Sequence, residues 1–272
     1  MKTYILLLSI VFFSFHCVPP SNDNEDFDEK DIEEIEEEEE EDKDDFFDLE
    51  EKMEEIMDDE EPSELIKDVV KQNAEGAKFV QVDINIAACK LKLSSGSKQL
   101  FTGGFAYSKK KWKPEINYEV VKEKGFLTIE QPETHNINID NTDQYAWNLK
   151  FGKNIPLDIN LELGAGVSEI KLGALPINNF NMVMGVGKTE LDLRGKWKQN
   201  AEIHLDGGIG LLKVYLPENV GVQVNTIKGL GNVEVLNMIR KDKNTYVNEW
   251  YNKTKITINI YLKTGIGKIE IE

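Results

Sequence analysis

The chain has 272 residues, with 50 Asp and Glu against 32 Lys and Arg and a formal net charge of −18. That charge is unevenly placed: residues 23–61 hold 26 of the acids and three lysines, leaving 24 acids and 28 bases over residues 62–272. The acidity therefore belongs to a tail. Three histidines and two cysteines leave few positions for chemistry that needs imidazole or thiolate.

Residues 1–17 read as a leader. Lys2 supplies a positive end, Tyr4 to Phe15 form a mostly apolar run, and Cys17 follows. The run is shorter than the ~20 residues that span a bilayer core but suits a secretory segment. Ser14-Phe15-His16 lacks the small residues of an ordinary cleavage site, whereas a cysteine directly after the apolar run suits a lipoprotein. The prediction is lipid attachment at Cys17, in preference to an uncleaved anchor or ordinary secretion.

Residues 18–61 form an acidic low-complexity tether, densest at Glu36–Glu41. Self-repulsion with little apolar surface predicts a disordered, solvated spacer of up to ~150 Å when extended. Phe46, Leu49, Met53 and Ile56 fall at amphipathic helical spacing, over too short a stretch to specify a coiled coil. Residues 62–76 are expected to form a short junction helix, with Pro62 and Ser63 at its start and Leu65, Ile66, Val69 and Val70 on one face.

From residue 77 to 272 the expectation is all-β. Alternating runs surround Val82, Ile84 and Ile86, then Leu91 and Leu93, then Ile116, Tyr118 and Val120. Gly-x-Gly triplets recur inside further alternating strands: Gly164 and Gly166, Gly185 and Gly187, Gly208 and Gly210, Gly229 and Gly231, Gly265 and Gly267. Spacings of 21, 23 and 21 residues between the first four corners mark a stack in which each unit completes its neighbour's core. Each triplet is followed by another strand pattern, without the helix a phosphate-cradling loop requires. These glycines are read as structural corners of a β-solenoid-like stack, with Ala87-Ala88-Cys89 at the first corner position.

An ordered set of segments carries a family likeness: Cys89-Lys90-Leu91-Lys92-Leu93, Pro114-Glu115-Ile116-Asn117-Tyr118, Leu127-Thr128-Ile129-Glu130-Gln131-Pro132, Leu161-Glu162-Leu163-Gly164-Ala165-Gly166 and Leu216-Pro217-Glu218-Asn219-Val220. In these the chain resembles the toast-rack domain family, related to the C-terminal domain of LiaF-type cell-wall-active antibiotics response proteins. The resemblance implies a β-solenoid-like domain in the bacterial envelope, in a family linked to cell-wall stress, and brings no catalytic residues. The departure is Ala87-Ala88-Cys89, where the family has Gly-Ala-Gly.

Chemistry is sparse. No His-x-x-x-His, Cys-x-x-Cys or Gly-x-Ser-x-Gly occurs, which removes the usual zinc and serine-hydrolase signatures. His204 is read as a solvated strand residue, His135 as a loop residue and Cys89 as a small buried hydrophobe. Asn138 to Asp143 lacks the glycine and closing glutamate of a calcium loop and reads as a turn. The basic runs Lys109 to Lys113 and Arg240 to Lys243 read as solvated. No enzyme, cofactor, metal site or nucleic-acid partner is expected. The expected partners are a membrane, through the lipid anchor, and an envelope protein or cell-wall component. Acting as a LiaF-like regulator of a membrane sensor and as an adhesin-like surface protein are the alternatives.

Overall fold

A computed structural model describes residues 65–132, 145–227, 229–263 and 265–272. Contacts divide the chain into Met1–Glu54 and Glu55–Glu272, and every described residue lies in the second unit. The leader with Cys17, the acidic tether and the Phe46–Ile56 stripe fall outside the described residues, as do His135 and the Asn138–Asp143 turn.

The strands are, in chain order, β1 (Ile66–Gln72), β2 (Phe79–Ser95), β3 (Phe101–Tyr107), β4 (Glu115–Val121), β5 (Lys124–Glu130), β6 (Tyr145–Phe151), β7 (Leu157–Lys171) and β8 (Ile177–Asp192). They continue with β9 (Ala201–Tyr215), β10 (Gly221–Ile227), β11 (Asn232–Val235), β12 (Ile239–Arg240), β13 (Thr245–Val247), β14 (Thr257–Lys263) and β15 (Ile266–Ile271). A 3-10 turn at Lys110–Trp112 is the one helical element among the described residues.

The four longest strands are bent. A straight 15-residue strand such as β7 would span ~50 Å, yet residues 172–176 carry the chain from its end to the start of its parallel neighbour β8. Five residues reach only ~20 Å, so β7 folds back on itself at Gly164-Ala165-Gly166. Each of β2, β7, β8 and β9 thus contributes one half to each of two facing sheets.

Burial shows how the bend is made. In β7 the inward side chains are Leu157, Ile159, Leu161 and Leu163 before the corner, then Ser168 and Ile170 after it. The inward set changes from odd to even numbers. A continuous pleat would keep one parity throughout, so the corner takes one residue out of the alternation. The residue that breaks the pleat has positive φ: Gly166 at 137°, Gly187 at 145°, Gly210 at 133°. Glycine alone adopts such values without steric cost.

The first sheet runs β4-β5-β2-β7-β8-β9-β14-β10-β13-β12 and the second β1-β3-β6-β2-β7-β8-β9-β15-β11. Pairing is parallel from β5 to β10 in the first and from β6 to β11 in the second. The space between is filled by aliphatic rows, and at the β6 end by aromatic rings, with Phe105 edge-on to Trp147 at 5.3 Å and Phe101 tilted against Phe151 at 5.3 Å. This is the expected β-solenoid-like stack.

One expectation is corrected. Ile66–Gln72, expected within a junction helix, is β1, an antiparallel partner of β3. Its apolar residues have helical spacing, and the strand leaves Val69 exposed, but Ile66, Val69 and Val70 are β-branched, which favours a strand once an open edge is available. The sheet accordingly begins before residue 77. The stack is also not in sequence order. β14 and β15 insert between β9 and the earlier strands β10 and β11, so the Gly265 corner lies inside the Gly229 corner. Residues 236–256, which include the β12–β13 hairpin, supply the length for that return.

Candidate functional surfaces

The corners stack backbone on backbone. A Cβ added at Gly187 would lie 1.9 Å from the carbonyl oxygen of Gly166, and one at Gly210 equally close to that of Gly187. The glycines of the Gly164, Gly185, Gly208 and Gly265 corners, and Gly231, likewise face the backbone of the neighbouring layer, which leaves no room for a side chain. The first corner escapes this requirement. β5 pairs with β2 only as far as Asn85, and β6 only from Lys90, so among the described residues no strand underlies Ala87-Ala88-Cys89. In place of a layer, the Gln131 side-chain oxygen accepts hydrogen bonds from the backbone N–H groups of Ala87 and Ala88, at 2.8 and 3.0 Å. The departure from Gly-Ala-Gly thus falls where, among the described residues, the stacked corners end and a side chain takes over the contact.

The middle residues of the corners point outwards in register. Ala88, Ala165, Val186, Ile209 and Ile266 are paired across successive strands, and Leu230 follows beside Ile266. The sequence reading singled out the glycines and assigned these intervening residues no role. Their shared apolar character was the available signal.

The outer face of the first sheet is a set of polar rows. Asn160 donates to Asp83 at 2.7 Å and Asn181 to Asn160 at 2.8 Å; His204 continues the row, stacked on Tyr261 with ring centroids 4.7 Å apart. His204 is exposed, as expected for an outward strand position. The second sheet's outer face carries charges: Lys92 bridges Glu169 at 3.5 Å, Arg194 bridges Asp192 at 2.8 Å, and Lys268 bridges Glu270 at 2.7 Å. Hydrogen bonding from Lys171 holds the Glu169 carboxyl below the usual range, and Arg194 and Lys268 do the same for Asp192 and Glu270. Glu162 with Glu169, and Glu190 with Asp192, lie on outer faces; none is gathered into a cleft.

Cys89 is buried, and desolvation pushes its thiol up to about 12, far from the depressed value of a reactive thiolate. Trp112, the aromatic residue of the Lys109–Lys113 run, is buried against Tyr145, with the Lys109 ammonium 5.0 Å from its ring centre. It offers no stacking surface for a base. Arg240 and Lys241 to Lys243 form the β12–β13 hairpin and its tip, where Asp242 accepts hydrogen bonds from the backbones of Asn244 and Thr245. A cleft of about 180 Å³ between Asn73, Lys98, Gln99, Gly152 and Asn154 is smaller than the ~300 Å³ typical of small-molecule sites. No cluster of three metal-ligating side chains occurs among the described residues, and no described helix is long and apolar enough to cross a membrane.

Comparison with known proteins follows the same architecture. Residues 166–271 match the model for the C-terminal domain of the cell wall-active antibiotics response protein LiaF. A comparison with curated proteins gives no match. Among solved structures, a candidate cell adhesion protein from Clostridium sporogenes ATCC 15579 is 34% identical, with a TM-score of 0.73 over 76% of this chain and 99% of that one. A candidate adhesin from Bacteroides fragilis NCTC 9343 is 12% identical, with a TM-score of 0.22 over 78% of this chain and 99% of that one. Residues 54–215, more than half of the chain, match the model for the N-terminal domain of toast_rack, DUF2154, and the chain belongs to the toast-rack family.

Proposed function

We propose that this is a non-enzymatic protein of the bacterial cell envelope, tethered by lipid at Cys17, whose toast-rack domain binds or senses a protein or wall component outside the cytoplasm. The observation that carries the reading is the placement of the domain's polar and charged groups. They lie in rows along two outer faces of a stiff double sheet, an arrangement suited to contact with another surface. The LiaF match over residues 166–271 and the 34% identity to a candidate cell adhesion protein support an envelope setting, as does the leader.

The test uses intact cells. The native chain should partition into detergent with an acylated Cys17 in its amino-terminal peptide, while Cys17→Ser should partition into water. A photo-crosslinker at Asn181, on the polar face, should capture a discrete envelope component. Aqueous partitioning of the native chain would remove the tether, and absence of any captured component would remove the binding role.

The LiaF match favours a second reading, regulation of a membrane sensor. Loss of the gene should then alter the response to cell-wall-active antibiotics; an unchanged response excludes it. An adhesin-like role, supported by the Clostridium sporogenes relative, predicts reduced attachment of cells instead.

A further inference from the structure

Six of the twelve large apolar side chains exposed among the described residues lie together at one part of the corner edge: Val183, Val186, Ile209, Ile227, Leu230 and Ile266. Register explains the grouping. Val186, Ile209, Ile266 and Leu230 are the middle residues of consecutive corners, spanning about 14 Å at ~4.8 Å per strand. Val183 and Ile227 lie at the two ends of the adjoining row of the first sheet, separated by the Asp206–Lys263 ion pair, so the contiguous apolar part is the row of corner residues. Side chains grow along the row from Ala88 and Ala165 through valine and isoleucine to Leu230, which is 89% exposed. Because the flanking glycines have no side chains, nothing among the described residues beside them covers these side chains. A contiguous patch of this kind marks a protein or membrane contact.

Two features favour one occupant. The ridge is convex and about one residue wide, so two copies meeting along it would bury far less than the ~800 Å² per partner of a stable interface. A fluid bilayer closes around such a ridge. The flanking rows carry Lys90, Lys188 and Lys268 on the second sheet and Lys263 on the first, against the acids Glu162 and Asp206; Lys263 bridges Asp206 at 3.0 Å, and Lys268 bridges Glu270 and Glu234 of the next row at 2.7 and 3.3 Å. Apolar side chains with cations at headgroup level suit an anionic lipid surface.

We infer that the Val186–Ile209–Ile266–Leu230 ridge inserts into the headgroup region of an anionic membrane and lays the domain against it. This rests on the envelope reading above. The chain between Cys17 and Ile66, at ~3.3 Å per residue, is long enough for the ridge to meet the membrane that would hold the anchor.

The full chain is labelled with an environment-sensitive dye at Leu230→Cys and, separately, at Lys98→Cys, an exposed position between β2 and β3 and away from the corner. Cys89 is buried, and the other cysteine of the sequence, Cys17, is blocked by acylation on the reading above and absent from the Cys17→Ser chain, so neither competes for label. On vesicles containing phosphatidylglycerol the Leu230 dye should shift to the blue, and the Lys98 dye should not. Ile209→Ser with Ile266→Ser should raise the lipid concentration for half-maximal response roughly tenfold. Equal responses at the two positions, or none at Leu230, would overturn the proposal. So would a lipid-independent response accompanied by doubled mass, which identifies a second copy as occupant. An equal response to neutral phosphatidylcholine would overturn the role of the lysines. The same shift in a Cys17→Ser chain at saturating lipid separates the ridge from the anchor.

Discussion

Gly187 shows how little freedom a single residue has in this fold. Its φ of 145° and the 1.9 Å approach of an added Cβ to the Gly166 carbonyl make any side chain there doubly unfavourable. Gly187→Ala should destabilise the protein by ~3 kcal/mol or more, read as a shift in urea midpoint. At the equivalent place in the first corner, Cys89→Ala should cost only about 1 kcal/mol, since a small buried side chain is shortened with no backbone clash. The glycines were legible in the sequence because they recur at fixed intervals. The exception at Ala87-Ala88-Cys89 was visible too, but its reason was not. It depends on which strands lie beneath the corner, and alternation does not encode that.

Among the elements, the strand interiors were the easiest to read. Val80, Val82 and Ile84 alternate in sequence as they do in space. The parity change across each corner was also present in the sequence, in the step from Leu163 to Ser168 and Ile170, and it marks the residue that leaves the pleat. β1 was misread because Leu65, Ile66, Val69 and Val70 follow the helical period, whereas the strand turns Ile66 and Val70 inwards and leaves Val69 exposed. The capping of β2 by Gln131 was invisible, since the contact joins residues 44 apart. It predicts that Gln131→Ala, by leaving two backbone N–H groups without their acceptor, will cost about 1–3 kcal/mol. Hydrogen exchange should then quicken at Ala87 and Ala88 more than elsewhere in β2. Uniform quickening along the strand would show that Gln131 has no local capping role.

At the level of the whole domain, the outer faces set the response to pH. Glu169, Asp192 and Glu270 all have folded pKa values below their ordinary ones, through hydrogen bonds from Lys171, Arg194 and Lys268. A depressed carboxyl contributes stability that is present above its unfolded pKa, ~3.9 for Asp and ~4.3 for Glu. That contribution is lost as pH falls through the folded value. The melting temperature should therefore change little between pH 7 and 5 and fall below about pH 4. Glu270→Gln should shallow that fall, whereas an unchanged slope would assign the acid response to other groups. The stacking of parallel strands was readable from the repeat, but the candidate surface was only half so. Residues such as Val186 and Ile209 read as spacers between glycines until the register set them side by side.

The insertion of β14 and β15 between β9 and the pair β10–β11 also has a kinetic consequence. Segments made earlier on the ribosome can zip together one after another from β2 to β9, as in any nearest-neighbour array. Residues 221–235 cannot join them on the same schedule, because the strands they dock against are synthesised later. Until residue 271 has emerged, that part of the polypeptide must wait with its hydrophobic side chains uncovered, which makes this interval a vulnerable stage for aggregation or proteolysis.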